Sequence, residues 1–267
     1  MQSVYKEIVP FPKPGVGYTA IRGELKTFDL LLFRGDDFVS RSILKIEGVM
    51  DKTEGLFSHV GVCMRAEDLL PVVTFAEQGK VYVFESTMSG NLADGVKNIE
   101  GHSRLGVQLR DLDAVVKAYD KSPNTRLAWC TLKPEKRLWI DTRKCARECV
   151  RRYNGMFYDA SCIDLAAVVV PTLRKVRDCG LVKLVRSKCC CCCCCCCTTK
   201  PPSEWQICSE LVANIYKDIG VIPQTVEAQN VMPMDFIVDA KDETKTLDSD
   251  GEVPVIYTNL VRFYSDI

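Results

Sequence analysis

Ser58-His59-Val60-Gly61-Val62-Cys63-Met64 alternates in the manner of a β-strand, with Val60, Val62 and Met64 on one face and His59, Gly61 and Cys63 on the other. A strand of this kind needs neighbours to bury its apolar side, and the chain supplies them before and after it. Phe28 to Phe33 (FDLLLF) is a short apolar run closed by the turn Arg34-Gly35-Asp36-Asp37. Lys80 to Glu85 (KVYVFE) and Arg126 to Leu132 are rich in β-branched and aromatic residues, and Val253 to Phe263 offers a last strand. Helical periodicity falls between them. Phe38 to Glu47 has apolar residues at 39, 43, 44 and 46. Glu135 to Tyr153 follows Pro134 and ends ahead of Gly155, placed as a C-terminal cap. Cys208 to Ile219 (CSELVANIYKDI) repeats apolar residues at 208, 211, 212, 215 and 219 and stops at Gly220, with Pro223 beyond. Strands and helices mixed without regular alternation predict an α+β fold. Residues 1–27, rich in Gly and Pro, read as an irregular surface lead-in.

Composition bounds the rest. A chain of 267 residues with 47% hydrophobic content can fill a core, and 35 basic against 35 acidic residues give no overall charge to attract nucleic acid. Met1 to Gly17 lacks the apolar centre of a secretory signal, and no run approaches the roughly 18 apolar residues of a spanning helix. A cytoplasmic protein is expected, without a transmembrane helix. Of 16 cysteines, nine form one unbroken run. Without a secretory signal they do not suggest a disulfide framework. The dispersed ones are Cys63, Cys130, Cys145, Cys149, Cys162, Cys179 and Cys208.

Cys208 differs from the others in opening a helix. A thiol at the positive end of a helix dipole and beside an imidazolium is shifted toward thiolate, the nucleophilic form. The chain has two histidines. His102 lies in the polar loop Gly101-His102-Ser103, whereas His59 sits in a strand beside small neighbours, so His59 is the expected base. A ring that shuttles protons needs its second nitrogen held, and Glu85, at the end of the next strand, is the candidate to hold it. The Cys208 backbone N–H would meet the oxyanion of an acyl-transfer intermediate. Taken singly, each residue also has a bland reading: a packing cysteine, a structural histidine, an exposed strand-end charge.

Order in the chain adds to this. Leu30-Leu31-Leu32-Phe33 after Asp29, Phe57-Ser58-His59-Val60-Gly61-Val62, Val83-Phe84-Glu85-Ser86, Gly155-Met156-Phe157-Tyr158-Asp159 and Ile207-Cys208-Ser209-Glu210-Leu211-Val212 together resemble the permuted papain-like amidases of the NlpC-type superfamily. That superfamily has bacterial, poxviral and lecithin:retinol acyltransferase-like branches. Val231-Met232-Pro233-Met234-Asp235 looks like its Pro-x-Asp element. The resemblance implies a circularly permuted papain-like fold, an antiparallel sheet with packed helices, over a single domain at 28–267. It also implies a Cys208-His59-Glu85 triad and no cofactor. The chain departs from the family plan at 160–203, which separates the Tyr-Asp motif from the Cys208 helix by more than that plan needs.

This insertion has its own chemistry. Thr172 to Lys188 carries Arg174, Lys175, Arg177, Lys183, Arg186 and Lys188 interleaved with apolar residues. The run Cys189, Cys190, Cys191, Cys192, Cys193, Cys194, Cys195, Cys196 and Cys197 follows. A basic amphipathic stretch beside clustered thiols reads as a membrane-surface element, over 172–197, whose cysteines are candidates for S-acylation. Nine adjacent thiols cannot all bind one zinc, although a subset can capture metal. The expected activity is a cysteine-nucleophile hydrolase, an amidase or peptidase or else a lipid ester hydrolase or acyltransferase, acting on a peptide, lipid or lipidated substrate. The alternatives are an inactive membrane-associated scaffold of the same fold and a metal-binding module.

Overall fold

The computed structural model describes residues 15–35, 40, 57–87, 95–102, 104–119, 125–158, 205–236 and 257–267. The helix expected at Phe38 to Glu47, apart from Ser40, lies outside them, as do the insertion at 160–203 and its cysteine run. Seven strands make one sheet: β1 (Val16–Gly17), β2 (Leu30–Arg34), β3 (His59–Arg65), β4 (Val81–Thr87), β5 (Gly106–Asp111), β6 (Arg126–Leu132) and β9 (Tyr257–Tyr264), in the order β1-β9-β6-β2-β3-β4-β5. A separate short pair joins β7 (Phe157–Tyr158) to β8 (Trp205–Gln206). The helices are α1 (Tyr18–Arg22), α2 (Ala66–Leu69), α3 (Leu112–Tyr119), α4 (Pro134–Arg137), α5 (Thr142–Tyr153) and α6 (Cys208–Asp218). The architecture is α+β, as expected. The sheet is mixed rather than wholly antiparallel as expected: β1 runs parallel to β9 at one edge, and the other pairings are antiparallel.

The quoted stretch divides as its alternation predicts. Val60, Val62 and Met64 join a core with Leu211, Val212, Ile215 and Tyr216 of α6 and Ala146 and Val150 of α5. Cys63 joins a second core with Tyr18 and Ile21 of α1 and Val115 of α3. Neighbouring β2 splits in the same way, Leu30 and Leu32 to the first core and Leu31 and Phe33 to the second. A sheet covered on both faces explains why Leu30 to Phe33 is continuously apolar rather than alternating.

Two further expectations are corrected. The described part of the expected lead-in at 1–27 is structured: β1 and α1 form at 16–22, Tyr18 and Leu25 are fully buried, and the Tyr18 hydroxyl donates to Asp113 Oδ1 at 2.7 Å. Tyr18 and Ile21 share the buried face of the short α1 and Leu25 follows it into the same core, a pattern that the surrounding Gly and Pro residues conceal in the sequence. The helix expected over Glu135 to Tyr153 is two helices, broken at Leu138 to Ile140. Asp141 restarts it as an N-cap whose side chain accepts from the Lys144 N–H at 3.1 Å. Meanwhile Arg137 is turned inward to the Thr27 carbonyl and the buried Asp29 carboxylate, which fixes α4 against the start of β2.

Candidate active site

His59 opens β3. Directly across from it on β2 is Phe33, whose ring centroid is 5.5 Å away. Two residues along the strand, Gly61 brings β4 close: a Cβ there would lie 2.7 Å from Val83 Cγ2 and 3.1 Å from Glu85 Cβ. Glycine at this position therefore lets Glu85 approach the ring. The contact results: His59 Nε2 and Glu85 Oε2 are 2.5 Å apart. With Nε2 engaged, Nδ1 is the nitrogen left to face a thiol.

Glu85 Oε1 accepts from Arg110 Nε, also at 2.5 Å, and the two side chains are 0% and 1% exposed. Arg110 is the functional residue that sequence reasoning missed. It stands on β5, one strand beyond Glu85, in the stretch Gly106-Val107-Gln108-Leu109-Arg110-Asp111. The alternation of Val107 and Leu109 with Gln108 and Arg110 was a legible strand signal. Gln108 and Arg110, its polar face, are both buried.

Cys208 is the first residue of α6, preceded by Ile207 in extended conformation, with no side chain capping the helix. The first N–H groups of the helix and its dipole therefore face the thiol end. The approach to α6 is fastened at two points. Ser86 Oγ, beside Glu85, donates to the Gln206 carbonyl at 2.5 Å, and Asn214 Nδ2 donates to Gln206 Oε1 at 2.9 Å. Cys208 is thus positioned from the same strand that carries Glu85, and it is one of the neighbours that raise the His59 ring.

The electrostatics follow. Burial works against a charged His59 ring, but Cys208 and Glu85 outweigh it and push the ring up to about 10. Burial likewise works against a charged Glu85, but Arg110 and then His59 pull the carboxyl down to about 2. Both residues are therefore charged across neutral pH. By contrast, burial pushes the thiols of Cys63, Cys130 and Cys149 up, the latter two to about 12. A raised ring favours the fold most below its ordinary 6.5, and that contribution fades as pH rises toward about 10. A lowered carboxyl favours the fold above its ordinary 4.5, and that contribution fades as pH falls toward about 2. The two overlap fully between about 4.5 and 6.5. The melting temperature of the wild type should accordingly decline from about pH 6.5 to 10, and His59→Ala should flatten that decline; an identical slope in the variant would remove His59 as its source.

His102 lies elsewhere, exposed in a turn where its N–H donates to Asn98 Oδ1. Pro233 to Phe236, within the Pro-x-Asp-like stretch, forms a 3-10 turn in which Asp235 Oδ2 accepts from the Met232 N–H at 2.7 Å. Asp159 and Cys189 to Cys197 lie outside the described residues. No family model matches the chain, and no curated protein matches it in sequence.

Proposed function

We propose that the chain is a cysteine-nucleophile hydrolase or acyltransferase of the permuted papain-like kind, with Cys208 as nucleophile, His59 as acid and base, and Glu85 as the group that holds the ring. The observation that carries this reading is the Glu85 carboxylate held 2.5 Å from His59 Nε2, with Cys208 opening the helix whose approach the same strand fastens through Ser86. A Cys208 thiolate attacks the carbonyl carbon of an amide or ester, and its electron pair forms the C–S bond while the carbonyl electrons move onto oxygen. The backbone N–H groups opening α6 face that oxyanion. Collapse of the tetrahedral species expels the amine or alcohol, which takes the proton from His59, and leaves a thioester on Cys208. Water or another acceptor, deprotonated by His59, then displaces Cys208 and restores the starting charges. Peptide, lipid and lipidated acyl groups all suit this sequence of steps. A cytoplasmic protein held peripherally on a membrane through 172–197 and its acylated cysteines fits the lipid branch of that range.

The test needs no known substrate. At about pH 6 an ordinary thiol, of pKa near 8.5, is ionised to only about 0.3%. Iodoacetamide labelling followed by site-resolved mass spectrometry should therefore find Cys208 alkylated on the order of 100-fold faster in the wild type than in His59→Ala. Comparing one thiol with itself removes differences in access. Equal rates in the two proteins would leave Cys208 a packing residue and favour the scaffold reading.

A further inference from the structure

Leu138 and Trp139 stand out of the molecule at the break between α4 and α5, 81% and 89% exposed. The other tryptophan whose surroundings are described, Trp129, is buried and donates Nε1–H to Asp29. The protruding pair is flanked by cations on both sides: Lys133 and Lys136 before it, and the exposed Arg143 and Lys144 after it. Two exposed acids, Glu135 and Asp141, lie in the same stretch, so these four cations remain in excess there; Asp141 also serves as the α5 N-cap. A second apolar element borders the same helix. The loop after α2, with exposed Val72 and Phe75, is fastened to α5 by Arg147, which donates to the Asp68 and Leu70 carbonyls.

We infer that the Leu138-Trp139 tip is a docking point for an anionic lipid surface. Two adjacent apolar side chains on a projecting turn are too little area for a stable protein interface. They do match insertion into a headgroup layer, where an indole sits at the boundary and neighbouring Lys and Arg residues meet lipid phosphates and carboxylates. Among the described residues no helix is long and apolar enough to cross a membrane, so the contact is interfacial. The site stands on its own exposure and charge and does not depend on the hydrolase reading.

The experiment is co-sedimentation of the full chain with vesicles of phosphatidylcholine, alone or with added phosphatidylserine. Binding should require phosphatidylserine and weaken with salt. Leu138→Ser together with Trp139→Ser should lower the partition coefficient by at least about tenfold. Arg143→Gln and Lys144→Gln should each lower it by about fivefold. All four positions are exposed, so an unchanged melting temperature will show that the fold survives. Absence of wild-type binding to the anionic vesicles overturns the proposal. So does unchanged binding by the Leu138/Trp139 variant, which would move vesicle affinity to another segment such as 172–197. Loss of self-association in that variant, with vesicle binding intact, also overturns it and makes the tip a protein contact.

Discussion

Cys208→Ala should remove at least about four orders of magnitude of turnover on whichever member of an amide, thioester and ester panel the wild type hydrolyses. The fold should survive, with a melting temperature within a few degrees of wild type. The size of the effect follows from the chemistry: alanine offers no atom to form the thioester, so the two-step route through an acyl-enzyme closes entirely. The small structural effect follows from the packing. Cys208 begins its helix at the edge of the core, where the larger α6 contacts come from Leu211, Val212, Ile215 and Tyr216, all fully buried, so the change to alanine removes one sulfur from that cluster. Retained turnover in Cys208→Ala would assign the activity to another group and end the nucleophile reading. Turnover lost together with the melting transition would mean that Cys208 is needed for the fold first.

Arg110→Met should destabilise the protein by about 3–5 kcal/mol, read from the midpoint of a urea or guanidinium transition. The arginine itself is not what makes the loss large. Glu85 is fully buried, and without Arg110 its Oε1 faces an apolar side chain while, among the described residues, its charge keeps His59 as partner. A buried charge stripped of one of two partners is far more costly than an exposed one. The double variant Arg110→Met, Glu85→Gln removes the charge along with its partner and should recover a large part of the loss. A double variant no more stable than the single one would show that Arg110 acts through packing instead. The pair has a functional side as well. Arg110 is the main group pulling Glu85 down, so Arg110→Met should raise the Glu85 carboxyl and weaken its hold on the ring. Cys208 alkylation near pH 6 should slow in the single variant even where the chain remains folded.

How legible all this was in the sequence varies by residue, for physical reasons. His59 was placed because period-two alternation is a local property, and seven residues suffice to show it. The Cys208 helix was bounded to within a residue because its stop signal, Gly220 with φ +73, is a backbone requirement written in one residue type. Glu85 was found as a strand-end carboxylate, but its distance from the ring depends on how β3 and β4 pair, which Gly61 permits and no single residue announces. Arg110 was out of reach for the opposite reason. Polar residues on alternate strand positions ordinarily mean solvent, and only the sheet order, which puts β5 beside β4, turns them inward. The break at Leu138 to Ile140 was hidden because three apolar residues continue a helical pattern. Asp141, followed three residues later by the N–H it caps, was the clue.

The pairing at the far edge of the sheet bears on how the molecule is made. β9 pairs with both β6 and β1, joining Phe263 to Leu127 and to Val16. On a ribosome, β2, β3, β4, β5 and then α6 emerge before β9, so the half of the sheet that carries His59, Glu85 and Arg110 can assemble before β9 is available. During that interval the outer edge of β6, Arg126 to Leu132, has its row of N–H and C=O groups open, and β1 has no strand to lie against. Contacts this distant along the chain are also slow to form. The nascent protein thus carries an unpaired, largely apolar edge until residues 257–264 arrive, and chaperone capture or aggregation during translation would act in that window.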